Sequence, residues 1–157
     1  MFKYEKLGDG LVYYRNIIED PYKIIEDIES LNDRVVKDIA DGVKDAEHGV
    51  AKPWHNWDHA HGDMTLHFCK QRWLPRSADM RKEAMYYDEY SSISDRLFSG
   101  LDSSYAHYSK EVYPYAARSI KGTEDNMSIL KYETAGYLPA HTDHGSSSRT
   151  LSVVMYL

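Results

Sequence analysis

A histidine and an aspartate separated by one residue, His141 and Asp143, lie between two segments whose sequences are typical of β-strands. The preceding segment reads MSILKYE and the following one reads RTLSVVMYL, and both carry β-branched and alternating residues. Side chains at positions i and i+2 of an extended chain point to the same side. We therefore expect the His141 imidazole and the Asp143 carboxylate to converge on one point.

One imidazole nitrogen and one hard carboxylate oxygen suit iron, and they are two of the three ligands of a 2-His-1-carboxylate facial triad. The remaining histidine is then expected from a distant strand. By itself the His-x-Asp pattern is a weak signal, since the same pair also occurs on ordinary polar surfaces. The sequence around the pair has to support the metal interpretation.

Residues 127–157 as a whole resemble the metal-binding core of prolyl 4-hydroxylase-like oxygenases that depend on Fe(II) and 2-oxoglutarate. The shared features are, in order, a strand ending in a tyrosine, a turn with glycine, the His-x-Asp pair, a short polar loop with an arginine, and a strand ending in MYL. The long, tyrosine-rich region before them is similar in style to small oxygenases carried by cyanobacterial phages. The resemblance favours metal binding by His141 and Asp143 over the surface interpretation.

The resemblance implies an α+β fold, with N-terminal helices packed on the first strands of a double-stranded β-helix, or jelly roll. It implies that Tyr132 and Tyr156 hydrogen-bond the 2-oxoglutarate carboxylate and that Arg149 meets substrate at the pocket mouth. The alternatives are core or interface tyrosines and a solvated arginine. The implied reaction is hydroxylation of a C–H bond in a small molecule or prolyl peptide, with Fe(II), 2-oxoglutarate as cosubstrate and ascorbate as a further candidate cofactor.

The sequence departs from this family in one respect. The second iron-binding histidine and a cosubstrate-binding Arg or Lys are expected after the His-x-Asp pair, yet no histidine follows His144. A jelly roll needs eight strands of about 5 to 6 residues, and residues 127–157 hold two or three of them. We expect one domain with an incomplete barrel, inactive by itself, in which residues 1–125 form a helix-rich support region and residues 126–157 begin the jelly-roll core. A split gene, a shortened reading frame or a partial sequence would each produce it.

Periodicity indicates the other elements. Residues 10–15 predict a strand, and Asp20 followed by Pro21 predicts the start of a helix with one apolar face. That face comprises Ile24, Ile25, Ile28 and Leu31. Residues 41–76 predict an irregular loop, and residues 77–118 predict one long helix or two helices joined near Gly100.

A histidine-rich stretch within the predicted loop offers a second candidate metal site. It reads WHNWDHAHGDMTLH and contains His55, Asp58, His59, His61, Asp63 and His67. HAHGDM is similar to the HxHxDH signature of metallo-β-lactamase-like hydrolases, but Met64 replaces the last histidine and no apolar strand precedes the motif. Histidines in loops are more often hydrogen-bonded or solvated than metal-bound. A zinc or iron hydrolase is therefore the weaker metal interpretation.

Charge and cysteine content exclude several classes of protein. The 157 residues carry 19 Lys and Arg against 25 Asp and Glu, a net charge of −6, which lacks the basic footprint of a nucleic-acid binder. A single cysteine excludes an internal disulfide and favours a reducing compartment. We expect a cytoplasmic protein, in the host cytoplasm if phage-encoded, with no nucleic-acid or membrane partner. A non-enzymatic fragment or helical interaction protein, with tyrosines lining a protein-binding surface, remains the alternative to an enzyme.

Overall fold

The computed structural model describes residues 3–56, 69–114, 126–132, 134 and 154–157. Within these ranges the chain forms, in order, β1 (Lys3–Gly8), β2 (Leu11–Arg15), α1 (Pro21–Ala40), β3 (His55–Asn56), β4 (Cys69–Pro75), α2 (Tyr87–His107) and β5 (Asn126–Tyr132). Single 3₁₀ turns occur at Ala46–His48 and Ser77–Asp79, and a π turn at Tyr108–Val112 follows α2. The described part of the chain is thus a mixture of helices and antiparallel strands, and the jelly roll stays a prediction.

Strands β1 and β2 form an antiparallel hairpin. The sequence predicts a strand at residues 10–15, where β2 lies, but it does not predict β1, whose six residues are all exposed. Two side-chain contacts attach the hairpin to the end of α2. The Tyr14 hydroxyl lies 3.0 Å from His107 Nδ1, and the Tyr108 hydroxyl donates to the Gly10 carbonyl at 2.7 Å.

Helix α1 begins where the sequence predicts. The Asp20 carboxylate accepts a hydrogen bond from the Lys23 backbone N–H at 3.1 Å, and Pro21 is the first helical residue. The buried face of α1 consists of Ile24, Ile28, Leu31 and Val35. The side chain of Ile25, predicted on this face, is half-buried.

Helix α2 is shorter than predicted: the expectation of helix over residues 77–118 is wrong at residues 80–86 and 113–114, and residues 115–118 lie outside the described residues. The backbone is extended at Met80 and left-handed at Tyr86 (φ 66°), so α2 begins only at Tyr87. The predicted break at Gly100 is absent from α2, which runs through it. A Cβ atom at Gly100 would lie 2.5 Å from the Ile17 carbonyl oxygen. This glycine therefore permits close packing of the helix against residues 17–18 rather than a joint between helices.

The second sheet has three antiparallel strands in the order β3-β4-β5. Its main pair runs from Cys69 opposite Tyr132 to Pro75 opposite Asn126. Strand β4 lies where the sequence predicts a loop, whereas β5 overlaps the predicted strand MSILKYE and begins one residue before it. Residues 154–157, the described end of the predicted strand RTLSVVMYL, are not in a strand. The sheet joins the regions that the sequence analysis separates at residue 125.

The hydrophobic core lies between α1, α2 and one side of this sheet, to which β4 contributes the buried Leu74. Two hydroxyls of α2 fix the helix to β4, because Tyr90 donates to the Trp73 carbonyl at 2.9 Å and Ser94 donates to the Pro75 carbonyl at 2.8 Å. None of the helices in the described ranges has the length and apolar character needed to cross a membrane.

Candidate functional site

The pairing of β4 with β5 gives the sheet two faces, because successive side chains of a strand point to opposite sides. The helix face is fixed by contacts with α1, since Arg72 donates to the Ile28 carbonyl and Lys131 pairs with Glu29. Three apolar residues of the same face, Leu74, Met127 and Ile129, belong to or pack against the core. We call the opposite side the far face. It carries Cys69, Gln71, Trp73, Ser128, Leu130 and Tyr132.

The far face holds a group of polar side chains close together. Cys69 and Gln71 are buried, with 2% and 6% of their surfaces exposed. The Gln71 side-chain amide donates to the Ser128 hydroxyl at 2.6 Å, which ties β4 to β5 on this side. Tyr132 lies directly opposite Cys69 in the strand register and is 42% exposed. A tyrosine hydroxyl on this face is thus open to a ligand while its neighbours are held in place.

Tyr132 interacts with both Cys69 and Tyr156. The pKa of the Tyr132 hydroxyl is raised by partial burial, by the Cys69 thiol, and by the nearby Tyr156 hydroxyl. Burial also raises the pKa of the Cys69 thiol, although its hydrogen bond with Tyr132 acts in the opposite direction. Both groups therefore stay protonated at neutral pH, and the Tyr132 hydroxyl can donate a hydrogen bond to an anion.

Two of the predicted site residues, Tyr132 and Tyr156, lie within the described part of the chain. Tyr132 ends β5, and Tyr156 lies in the described segment at residues 154–157 with 87% of its surface exposed. His141, Asp143 and Arg149 lie outside the described residues, so their predicted roles stay predictions. Among the described residues, no group of three or more His, Cys, Asp or Glu side chains is placed to hold a metal ion.

Most of the histidine-rich stretch also lies outside the described residues. This applies to Asp58, His59, His61, Asp63 and His67. His55 is described, in the two-residue strand β3, where it is exposed and pairs with Gln71 of β4. The single described histidine of this cluster therefore lies on a strand rather than in the predicted loop.

Sequence reasoning missed Cys69, Gln71 and Ser128. The segment CKQRWLP places charged residues at alternate positions, and a charge is normally the mark of the solvent side of a strand. Here Arg72 is buried, so the usual alternation of apolar inside and polar outside does not hold. The sequence signal for β4 is the alternation of charged and uncharged residues over this segment, which ends in a proline.

Comparison with known proteins adds no further constraint on the site. No protein family, no curated protein and no solved structure matches the chain.

Proposed function

We propose that the chain belongs to an Fe(II)- and 2-oxoglutarate-dependent oxygenase that hydroxylates a C–H bond in a small molecule or peptide. His141 and Asp143 bind the iron, Tyr132 and Tyr156 hold the cosubstrate, and Arg149 contacts the substrate. The observation that carries the proposal is the exposed Tyr132 side chain on the far face, at the end of the strand that precedes the His-x-Asp pair in the sequence.

The chemistry of these donors fits the groups proposed. An imidazole and a carboxylate are ligands that Fe(II) accepts, and an iron centre with open positions supplies the oxidation of the C–H bond. The Tyr132 hydroxyl, whose pKa is raised chiefly by burial, remains a hydrogen-bond donor at neutral pH. A protonated phenol can then bind and orient a carboxylate of 2-oxoglutarate.

The position of the tyrosines also agrees with a barrel wall. In a sheet that lines a binding cavity, one face packs on supporting helices and the other faces the ligand. The helix face of β4 and β5 packs on α1 and α2, and Tyr132 projects from the other side. We therefore assign the ligand side of the proposed barrel to the far face.

Metal binding by the full chain tests the proposal directly. Anaerobic titration with Mn(II) as a stand-in for Fe(II) should show a weak site that is lost in His141→Ala and in Asp143→Ala, because each removes one ligand. The matched controls His59→Ala and His61→Ala should bind Mn(II) as the parent does. The readout is metal binding rather than turnover, because the proposal leaves the third iron ligand unassigned.

Two results would contradict this assignment. Equal loss of Mn(II) from the His59 and His141 variants would move the metal centre to the histidine-rich stretch. Binding that none of the four substitutions changes, or no binding at all, would favour the interaction protein. If 2-oxoglutarate is bound, Tyr132→Phe should weaken it by about tenfold or more, since a hydrogen bond to a charged group contributes roughly 1.5 to 3 kcal/mol.

A further inference from the structure

Arg72 is a charged residue buried on the helix face of the sheet, with 2% of its surface exposed. One of its nitrogens, Nη1, donates a long hydrogen bond to the Ile28 carbonyl at 3.4 Å. Its Nε and Nη2 are fully buried, and no acceptor in the described part of the chain lies within hydrogen-bonding distance of either. A buried guanidinium with most of its donors unmet is strongly unfavourable, because the charge has left water without gaining partners.

The two unpartnered nitrogens form one edge of the guanidinium. The N–H bonds of Nε and Nη2 are parallel and lie on the same side of the planar group, in the fork that binds a carboxylate or a phosphate through two oxygens. The Ile28 carbonyl occupies the other end of the group. These two donors therefore match two oxygens of one anion in spacing and direction.

Trp54, whose ring lies near Arg72, carries a further buried donor without a partner among the described residues. The Arg72 Cζ atom lies 5.8 Å from the centre of the Trp54 ring, and the indole Nε1 is buried with no acceptor among the described residues. The Trp54 backbone N–H donates to Asn32 Oδ1 at 3.0 Å, which holds the residue against α1. All of the unmet groups here are donors, so the missing partner is an acceptor. The Trp54 side chain as a whole is half-buried, although its indole nitrogen is buried.

The charges around Arg72 are also unbalanced toward the positive. The ammonium group of Lys131 also lies near Trp54, with its Nζ 5.8 Å from the ring centre. Glu29 of α1 acts electrostatically on Arg72 but is itself paired with Lys131 at 2.8 Å. Glu29 is thus shared between two cations, which favours a further anion beside Arg72.

We propose that Arg72 and Trp54 form a binding site for one small oxyanion, a phosphate or a carboxylate, on the helix face of the sheet. Two oxygens of the anion accept from Arg72 Nε and Nη2, and one accepts from the Trp54 indole. The site lies on the opposite side of the sheet from Tyr132 and does not depend on the proposed oxygenase activity. The anion completes the packing of α1 on β4, so it stabilises the folded chain.

Titration of the metal-free full chain with inorganic phosphate and, separately, with acetate tests this site. Calorimetry at constant ionic strength, balanced with chloride, should show saturable binding of one anion. The same anion should raise the melting temperature with increasing concentration, because it binds the folded state only. Binding of phosphate alone identifies a phosphate group as the ligand, and binding of acetate alone identifies a carboxylate. EDTA in the buffer removes any contribution from the proposed iron site.

Matched variants locate the binding. Arg72→Met keeps a long apolar side chain and should abolish saturable binding, whereas Arg15→Met, which removes an exposed arginine of the hairpin, should leave it unchanged. Trp54→Phe keeps an aromatic ring and removes the N–H, so the Kd should rise about tenfold. This second variant keeps the test decisive if Arg72→Met does not fold.

Two outcomes would overturn the proposal. The first is the lack of saturable binding of either anion, with a melting temperature that follows ionic strength alone, which would mean that water meets these donors. The second is an equal response of the parent, Arg15→Met and Trp54→Phe chains to the anion, which would show an adventitious ion only.

Discussion

The two faces of the β3-β4-β5 sheet differ in what buries their residues and in how the residues are held. On the helix face, Leu74 and Arg72 are almost completely buried, and Leu74 belongs to the core that α1 and α2 share. On the far face, Trp73 is 55% exposed and Tyr132 is 42% exposed, and the ordered contacts are hydrogen bonds between polar side chains. Adjacent residues of one strand therefore have different roles. Side chains of one face pack the sheet on the helices, and side chains of the other face hold polar groups near solvent.

The substitution with the largest expected effect compares neighbours on the two faces. Leu74→Ala should lower the free energy of unfolding by about 2 to 5 kcal/mol, because it leaves a cavity in the core. Trp73→Ala, one residue earlier on the far face, should lower it by about 1 kcal/mol although it removes a larger side chain. Urea unfolding followed by circular dichroism measures both. Similar losses would show that the two faces are buried alike.

Removing the hydroxyl that attaches α2 to β4 should have the next largest effect. Tyr90 is 1% exposed, and Tyr90→Phe leaves the Trp73 carbonyl without its donor, which should cost about 1 to 3 kcal/mol. Tyr22→Phe is the control, since Tyr22 is 77% exposed on α1 and should tolerate the change. Thermal unfolding of the two variants should separate them clearly, and an unchanged Tyr90→Phe melt would argue against this anchor.

A smaller, pH-dependent effect is expected where β4 leads into α2. Arg76 donates two hydrogen bonds to Asp102, at 2.7 and 2.8 Å, and this holds the pKa of Asp102 below its usual 3.8. Because the folded pKa is depressed, the pair contributes stability above pH 3.8, and this contribution is lost as the pH falls through the folded pKa.

Asp102→Asn should therefore be less stable than the parent at pH 7, by no more than about 1 kcal/mol because the carboxylate is half-exposed. The difference should shrink as the pH falls below about 4. Asp79→Asn, an exposed carboxylate in the same connection, is the control. Urea midpoints measured across this pH range provide the test, and a constant difference would mean that Asp102 acts through something other than its charge.

The smallest effect concerns the far face and leaves stability nearly unchanged. Hydrogen bonding with Tyr132 lowers the pKa of the Cys69 thiol against the larger, raising effect of burial. Tyr132→Phe removes this hydrogen bond, so the pKa of Cys69 should move further upward. Because the thiol is buried, its pKa is followed by NMR through the Cys69 Cβ resonance against pH, and the titration should shift to higher pH in the variant. An unshifted profile would mean that the two side chains do not interact.

Local signals were sufficient to predict α1 and β5. The cap at Asp20, the proline at residue 21 and one apolar face are properties of consecutive residues, and they place α1 at its observed start. The start of α2 could not be predicted in this way, because it depends on a left-handed Tyr86 that the sequence does not mark. Strand β1 is exposed and charged, and it forms through its pairing with β2.

The site residues could be predicted only where they lie close together in the sequence. Tyr132 and the His-x-Asp pair are close in sequence, and the roles of Tyr132 and Tyr156 at the cosubstrate stay predictions. Cys69 and Gln71 reach the same face from a strand on the other side of α2 in the chain, and nothing local indicates that pairing. The buried Arg72 also makes β4 difficult to predict as a strand, since the burial of an arginine depends on partners that sequence periodicity does not reveal.

Since α2 separates β4 from β5 along the chain, the pairing of Cys69 with Tyr132 has a consequence for folding kinetics. The β1–β2 hairpin and both helices form from contacts between residues near in sequence, whereas this pair must close a long loop before it gains anything. We expect the far face to be completed late in folding. Pulsed alkylation of Cys69 during refolding would follow this step, and protection of the thiol before α2 becomes helical would contradict it.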